Sequence, residues 1–295
     1  MDRELELLVD RATTLLAGIV GFTNDQDGTR IVRVGGSAFF VAPFQALTAR
    51  HVCRDLFRTD PTWSDTLHRR TEGYFYLPHG SRMFQVASRR GETRSVIWSV
   101  TRTWDPAVTD ISFMEAALDS EASSAKGLSA HTTFFEWALE PPSVNETVTM
   151  MGFRTEITVV DERWSINITC IVQTANVVAV YEERRDSGMY SFPCFAVDQP
   201  IDPGCSGGPV LWGNRLCGII SGGSVDDRTY VASLWPLTLM EYEYPDLGAL
   251  GGKSRFGDLF ERGAIRARDW DSVKSRVFKQ HDDHGRPFVT IRMTA

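Results

Sequence analysis

Along most of this chain short, largely apolar runs are broken at close intervals by polar turn signals, the pattern expected of short β-strands. Such runs lie at Thr13–Phe22, Arg30–Val34, Ala38–Val41 and Ala46–Thr48, separated by Asp-Gly, Gly-Gly and proline-containing turns. Others follow at Tyr74–Leu77, Met83–Ala87, Val96–Thr103 and Ile111–Glu115. The small, polar stretch Leu118–Ala130 then reads as a connector. Strand-like runs resume at Thr147–Phe153, Ile157–Asp161, Ser165–Gln173, Val177–Glu182, Met189–Val197, Val210–Trp212, Leu216–Ser221 and Thr229–Ser233. Helical spacing is confined to the two ends. Residues 2–11 put Leu5, Leu8 and Val9 on one side of a short helix. Leu259–Phe278 repeats apolar residues at helical spacing, interrupted at Gly263, and Pro287–Met293 reads as a last strand. The pattern predicts an all-β chain: an N-terminal helix at 1–12, a first β lobe at 13–117, a connector at 118–130, a second β lobe at 131–244 and a mixed α/β appendage at 245–295.

Composition narrows the function. The chain has 295 residues, 42% hydrophobic and 23% charged, the balance of a globular protein. A net charge of -7 gives nothing for phosphate neutralisation, so no nucleic-acid partner is expected. Arg69-Arg70, Arg89-Arg90 and Arg184-Arg185 have acids nearby and read as solvated surface. No run reaches the roughly 18 to 20 apolar residues of a membrane span, so no membrane partner is expected. The opening MDRELELLVDR lacks the cationic-then-apolar order of a signal peptide. The five cysteines (Cys53, Cys170, Cys194, Cys205, Cys217) are odd in number and form no CxxC pair. They read as small buried residues in a reducing compartment, and a bacterial cytoplasm is the expected setting. His281 and His284 have no companion ligands, so neither a metal nor another cofactor is expected.

Three stretches carry candidate chemistry. In GSAFFVAPFQALTARHV, residues 36–52, a strand pair ends in Leu-Thr-Ala and His51 stands at the first turn after it. In TDISF, Asp110 opens an apolar strand; Asp105 also precedes that strand and is the competing acid. In DPGCSGGPV, residues 202–210, Ser206 sits in a glycine-rich turn leading into a strand. A serine hydroxyl becomes a useful nucleophile when an imidazole takes its proton, and the imidazole needs a carboxylate to hold its tautomer. The N–H groups of Gly204 and Ser206 can point together at an oxyanion only in backbone conformations that a Cβ would obstruct. Cys205 is out of register as a nucleophile and reads as buried.

These stretches resemble the trypsin-like and high-temperature-requirement peptidases. GSAFFVAPFQALTARHV is similar to their "GSGF…VLTAAHV" region, TDISF to "DIAL", and PGCSGGPV to their "SGGP" nucleophile loop. The resemblance covers residues 13–240 and implies a chymotrypsin-like double barrel: two six-stranded antiparallel β-barrels with the site in the cleft between them. It implies a serine endopeptidase with His51, Asp110 and Ser206 as catalytic residues, Gly204 and Ser206 as the oxyanion hole, and a protein or peptide substrate. It also implies a pocket near Pro200, walled by Ser221, Gly222 and Gly223, where the substrate backbone adds as a strand. Pro200 stands where relatives with a basic preference carry an aspartate; Asp202 and Asp226-Asp227 remain alternatives for reaching the pocket. Cys205 replaces the aspartate that receives a newly cut N-terminus, so activation by cleavage is not expected. The competing function is a catalytically silent, protease-like module that binds peptides. The appendage is expected to pack on the second lobe or, alternatively, to dock a regulatory protein.

Overall fold

The computed structural model describes residues 3–24, 30–57, 74–75, 82–89, 92–118, 134–160, 163–223, 226–243, 253–281 and 287–291. The predicted connector beyond Leu118, together with Arg69-Arg70 and His284, lies outside them. Helix α1 (Arg3–Thr13) leads into β1 (Leu16–Asn24), β2 (Arg30–Ala42) and β3 (Gln45–Ala49). Helix α2 (Arg50–Phe57) follows at once, then β4 (Tyr74–Phe75), β5 (Arg82–Arg89), β6 (Glu92–Trp104) and β7 (Ile111–Leu118). Their order is β4-β6-β5-β1-β2-β3-β7, and β6 also pairs with β7, so six of the seven strands close a barrel with β4 added to β6.

The second lobe contains β8 (Glu136–Trp137), β9 (Thr147–Val160), β10 (Arg163–Tyr181), β11 (Cys194–Val197), β12 (Pro209–Trp212), β13 (Arg215–Gly223) and β14 (Thr229–Ser233). Its order is β12-β9-β10-β11-β14-β13-β8, with β12 also on β13, so this sheet curls back on itself around six strands. Among the described strands of this sheet, β8 runs parallel to its neighbour, β13, and the rest are antiparallel. Both lobes share one continuous core in which Phe39, Leu47 and Phe113 meet Trp137, Phe153 and Phe256. A second cluster, with Met150, Val177, Phe195, Ile220 and Val231, fills the second lobe. These are the alternate, inward residues of their strands, and their burial drives the two sheets to curl.

Three expectations change. The separate runs expected between Thr147 and Glu182 form one long hairpin, in register from Thr147↔Asn176 to Val160↔Arg163. Arg154 and Glu156 are exposed polar residues on a continuous strand and mark no turn. Met189–Val197 is strand only from Cys194, after Pro193. The expected helix Leu259–Phe278 is two short helices, α3 (Gly257–Glu261) and α4 (Trp270–Val273), then β17 (Val277–His281), which pairs with β18 (Pro287–Ile291). Gly263, at φ 68, ends α3 by taking the left-handed conformation that closes a helix. The small ribbon β15 (Glu241–Glu243) and β16 (Lys253–Arg255) connects the second lobe to α3.

Candidate active site

His51 is the second residue of α2, and Asp110 is the residue before β7. Strands β3 and β7 pair with Ala49 opposite Ile111, so the two side chains start from adjacent positions despite lying 59 residues apart. The Arg50 N–H donates to the Asp110 carbonyl at 2.9 Å, which fixes the start of the helix against the start of the strand. The buried carboxylate of Asp110 accepts the His51 backbone N–H at 3.1 Å through Oδ1. Its Oδ2 lies 2.8 Å from His51 Nδ1. A carboxylate can only accept here, so the ring proton sits on Nδ1 and the lone pair on Nε2. Burial lowers the His51 pKa, but the hydrogen bond and charge of Asp110, with the charge of Asp55, outweigh it and raise it above 6.5.

Asp105 is committed elsewhere. It pairs with Arg50 Nε at 3.0 Å and Arg54 Nε at 3.1 Å, and accepts the Ser112 hydroxyl at 2.9 Å.

Ser206 follows a 3₁₀ turn, Pro203–Cys205, and is buried. Its loop is pressed onto the first lobe just where His51 emerges. The Ser37 N–H donates to the Ser206 carbonyl at 2.7 Å, and the Ser37 hydroxyl donates to the Gly204 carbonyl at 3.1 Å. The same hydroxyl accepts the Phe153 N–H at 2.8 Å, so one buried serine ties both lobes to the loop. The approach demands glycine at two positions. At Gly36, φ 151, a Cβ would lie 2.6 Å from the Ser206 carbonyl and 2.8 Å from Val52, the neighbour of His51. At Gly207, φ 89, it would lie 2.1 Å from the Ser37 carbonyl and 2.3 Å from Thr48 Oγ1. On its other side the loop meets β13, where the Gly207 N–H donates to the Ile220 carbonyl at 2.8 Å. The next residue, Ser221, sits at a bulge in β13 and donates its hydroxyl to Asp110 Oδ2 at 2.5 Å.

Two β-barrel lobes thus meet around an imidazole–carboxylate pair and a glycine-bounded serine loop. The fold is a double β-barrel: a closed six-stranded barrel beside a second sheet that curls back on itself. No protein-family model and no curated protein matches this sequence. Among solved structures, the active form of the Rv3671c protease from M. tuberculosis is similar at 14% identity and TM-score 0.44, over 79% of this chain and 82% of that one. An inactive form of the Rv3671c protease is similar at 12% identity and TM-score 0.43, over 79% of this chain and 90% of that one. At such identity the chemistry of the cleft rests on this chain's own residues.

The expected oxyanion donors have different partners. The Gly204 N–H donates to Asp202 Oδ1 at 2.9 Å, and the Ser206 N–H donates to the Pro203 carbonyl at 3.2 Å. Cys205 is fully buried, and burial pushes its thiol up to about 12, far from a thiolate at neutral pH.

The expected pocket residues also divide. Ser221 braces Asp110 with its side chain. Pro200 is exposed, and the carbonyl of the following Ile201 lies 4.0 Å from where a Gly223 Cβ would stand, a narrow gap. Asp226 accepts the Tyr230 hydroxyl at 3.1 Å and sits 3.8 Å from Arg185, while Asp227 is exposed. Sequence reasoning missed Tyr190. It is buried, stacks on Tyr230 at 4.1 Å and donates its hydroxyl to the Gly223 carbonyl at 3.2 Å. Burial pushes its pKa up to about 12, so it stays a donor. Among the described residues no cluster of histidine, cysteine and acidic side chains could hold a metal ion, and no helix is long and apolar enough to cross a membrane.

Proposed function

We propose that this chain is a serine endopeptidase that cleaves peptide bonds of protein substrates through an acyl-enzyme on Ser206. The observation that carries the reading is the His51–Asp110 pair, 2.8 Å apart, braced by Ser221 beside the loop of Ser206. In this reading Ser206 Oγ attacks the scissile carbonyl as its proton passes to His51 Nε2. Asp110 stabilises the imidazolium, which then protonates the leaving amine. Water repeats the sequence on the acyl-enzyme with His51 again as base, and Ser206 is regenerated. Gly204 and Ser206 would supply N–H groups to the oxyanion, and the strand edge at Gly222 and Gly223 would pair with the substrate backbone. No metal or organic cofactor enters these steps. A cytoplasmic, bacterial setting fits five free thiols.

One observation favours the silent binding module. Both expected oxyanion donors are engaged within their own loop. Hydrolysis of an unfolded protein substrate separates the two readings. The protease reading expects cleavage that Ser206→Ala removes while peptide binding persists. Binding without turnover in the unsubstituted protein is the outcome for the module.

A further inference from the structure

On the reading that Ser206 is a nucleophile, we infer that Asp202 is a positioning residue that holds the oxyanion hole shut until substrate arrives. Its carboxylate takes the Gly204 N–H at 2.9 Å. The Ser206 N–H is taken by the carbonyl of Pro203 at 3.2 Å. Both bonds involve one peptide plane, because the Pro203 carbonyl and the Gly204 N–H belong to the same trans amide. Turning that plane over withdraws the carbonyl from Ser206 and the N–H from Asp202 in one motion. Two donors are then free to face a developing oxyanion.

The loop's remaining bonds permit the turn. On one side, Cys205 N–H is held by the Asp202 backbone carbonyl at 2.9 Å. On the other, Ser37 fixes the Gly204 carbonyl at 3.1 Å and the Ser206 carbonyl at 2.7 Å. Rotation between these anchors changes mainly ψ of residue 203 and φ of residue 204. The proline ring locks φ and leaves ψ free. Glycine accepts either sign of φ, which accounts for the Pro-Gly pair at this point. Asp202 is half-exposed, so a charged acceptor holds the closed state without being locked in the core. Arg154 stands 4.0 Å from its other oxygen and helps hold the carboxylate in place. Closed and open states therefore differ mainly by these two hydrogen bonds, which bonds to the oxyanion replace once substrate is bound.

The test is the second-order rate of labelling by a fluorophosphonate probe, measured on the full chain as wild type, Asp202→Ala and Asp202→Asn. A hydrogen bond to a charged acceptor shifts an equilibrium by a factor of roughly ten or more, so Asp202→Ala should label about tenfold faster at Ser206. Asp202→Asn keeps an oxygen that can take the Gly204 N–H and should return most of the way to the wild-type rate. A change of melting temperature common to both variants would not reproduce that rescue. Equal rates in all three proteins overturn the latch and leave the nucleophile assignment intact. Absence of label at Ser206 in every variant overturns the protease reading and the latch together. A structure of the phosphonylated protein adds a direct check: Gly204 N–H on the phosphonyl oxygen supports the latch, and Gly204 N–H still on Asp202 refutes it.

Discussion

Asp110 makes three separable contacts, to the His51 ring, to the His51 backbone N–H and to the Ser221 hydroxyl. Each uses the carboxylate as an acceptor, so Asn at this position would present an N–H to one of them and unseat the Nδ1 tautomer. Asp110→Asn is expected to lower kcat by about 10⁴. Asp105→Asn should leave kcat within about tenfold in the protein that folds, because its losses fall on Arg50, Arg54 and Ser112 and hence on stability. Steady-state kinetics on the two variants decide between the acids. The pH profile tests the same contact. His51 must be neutral to act as base, and its pKa is raised above 6.5 against the effect of burial. Thus kcat/KM should rise with pH through an inflection above 6.5 in the wild type. In Asp110→Asn the hydrogen bond and charge of Asp110 are gone, and burial is opposed by the charge of Asp55 alone, so the inflection should move down. An unmoved inflection would assign it to another group.

At the scale of elements, the decisive contact is a loop against a strand pair. Gly207→Ala would drive a Cβ into the Ser37 carbonyl and Thr48 Oγ1 at 2.1 and 2.3 Å, at φ 89. Gly213→Ala has a comparable left-handed φ of 58 but nothing within 4 Å, so it reports backbone strain alone. Thermal melts should show a loss of about 1 kcal/mol for Gly213→Ala and clearly more for Gly207→Ala, with labelling at Ser206 lost only in the latter. Equal effects would mean that the loop yields. Much at this scale was legible in the sequence. The short apolar runs at Ala38–Val41 and Ile111–Glu115 identified the strands, and the residues flanking His51, Asp110 and Ser206 marked where chemistry would lie. Helix α2 was not foreseen, since eight residues hold too few turns for a period to stand out. Ser37 and Tyr190 act on the site through partners far away in sequence, Gly204 and Gly223, and such contacts leave no local signal. The closed oxyanion loop was hidden for a different reason: an Asp-Pro-Gly turn can satisfy its own N–H groups or offer them outward, and composition does not say which.

For the whole molecule, the question is why a double barrel needs residues 245–295. Phe256 packs edge-on against Phe113 of the first lobe at 5.2 Å and beside Trp137 of the second at 5.6 Å. Phe260 stacks on Trp270 at 5.1 Å, and the Trp137 backbone N–H donates to the Arg266 carbonyl at 2.7 Å. Arg276 closes the same face with Glu140. The segment is therefore part of the core that joins the lobes, and the cleft geometry depends on it. Phe256→Ala should cost about 3–5 kcal/mol in denaturant unfolding, and removal of 245–295 should give an insoluble or strongly destabilised protein. A well-folded, active fragment would instead make the segment a docking module. The claim on which the rest depends is the nucleophile, and it is tested most directly by fluorophosphonate labelling followed by peptide mapping of the adduct. Label is expected on Ser206, none on Cys205, and loss of label in His51→Ala; an unlabelled protein, or an adduct on any other residue, would refute Ser206 as the nucleophile.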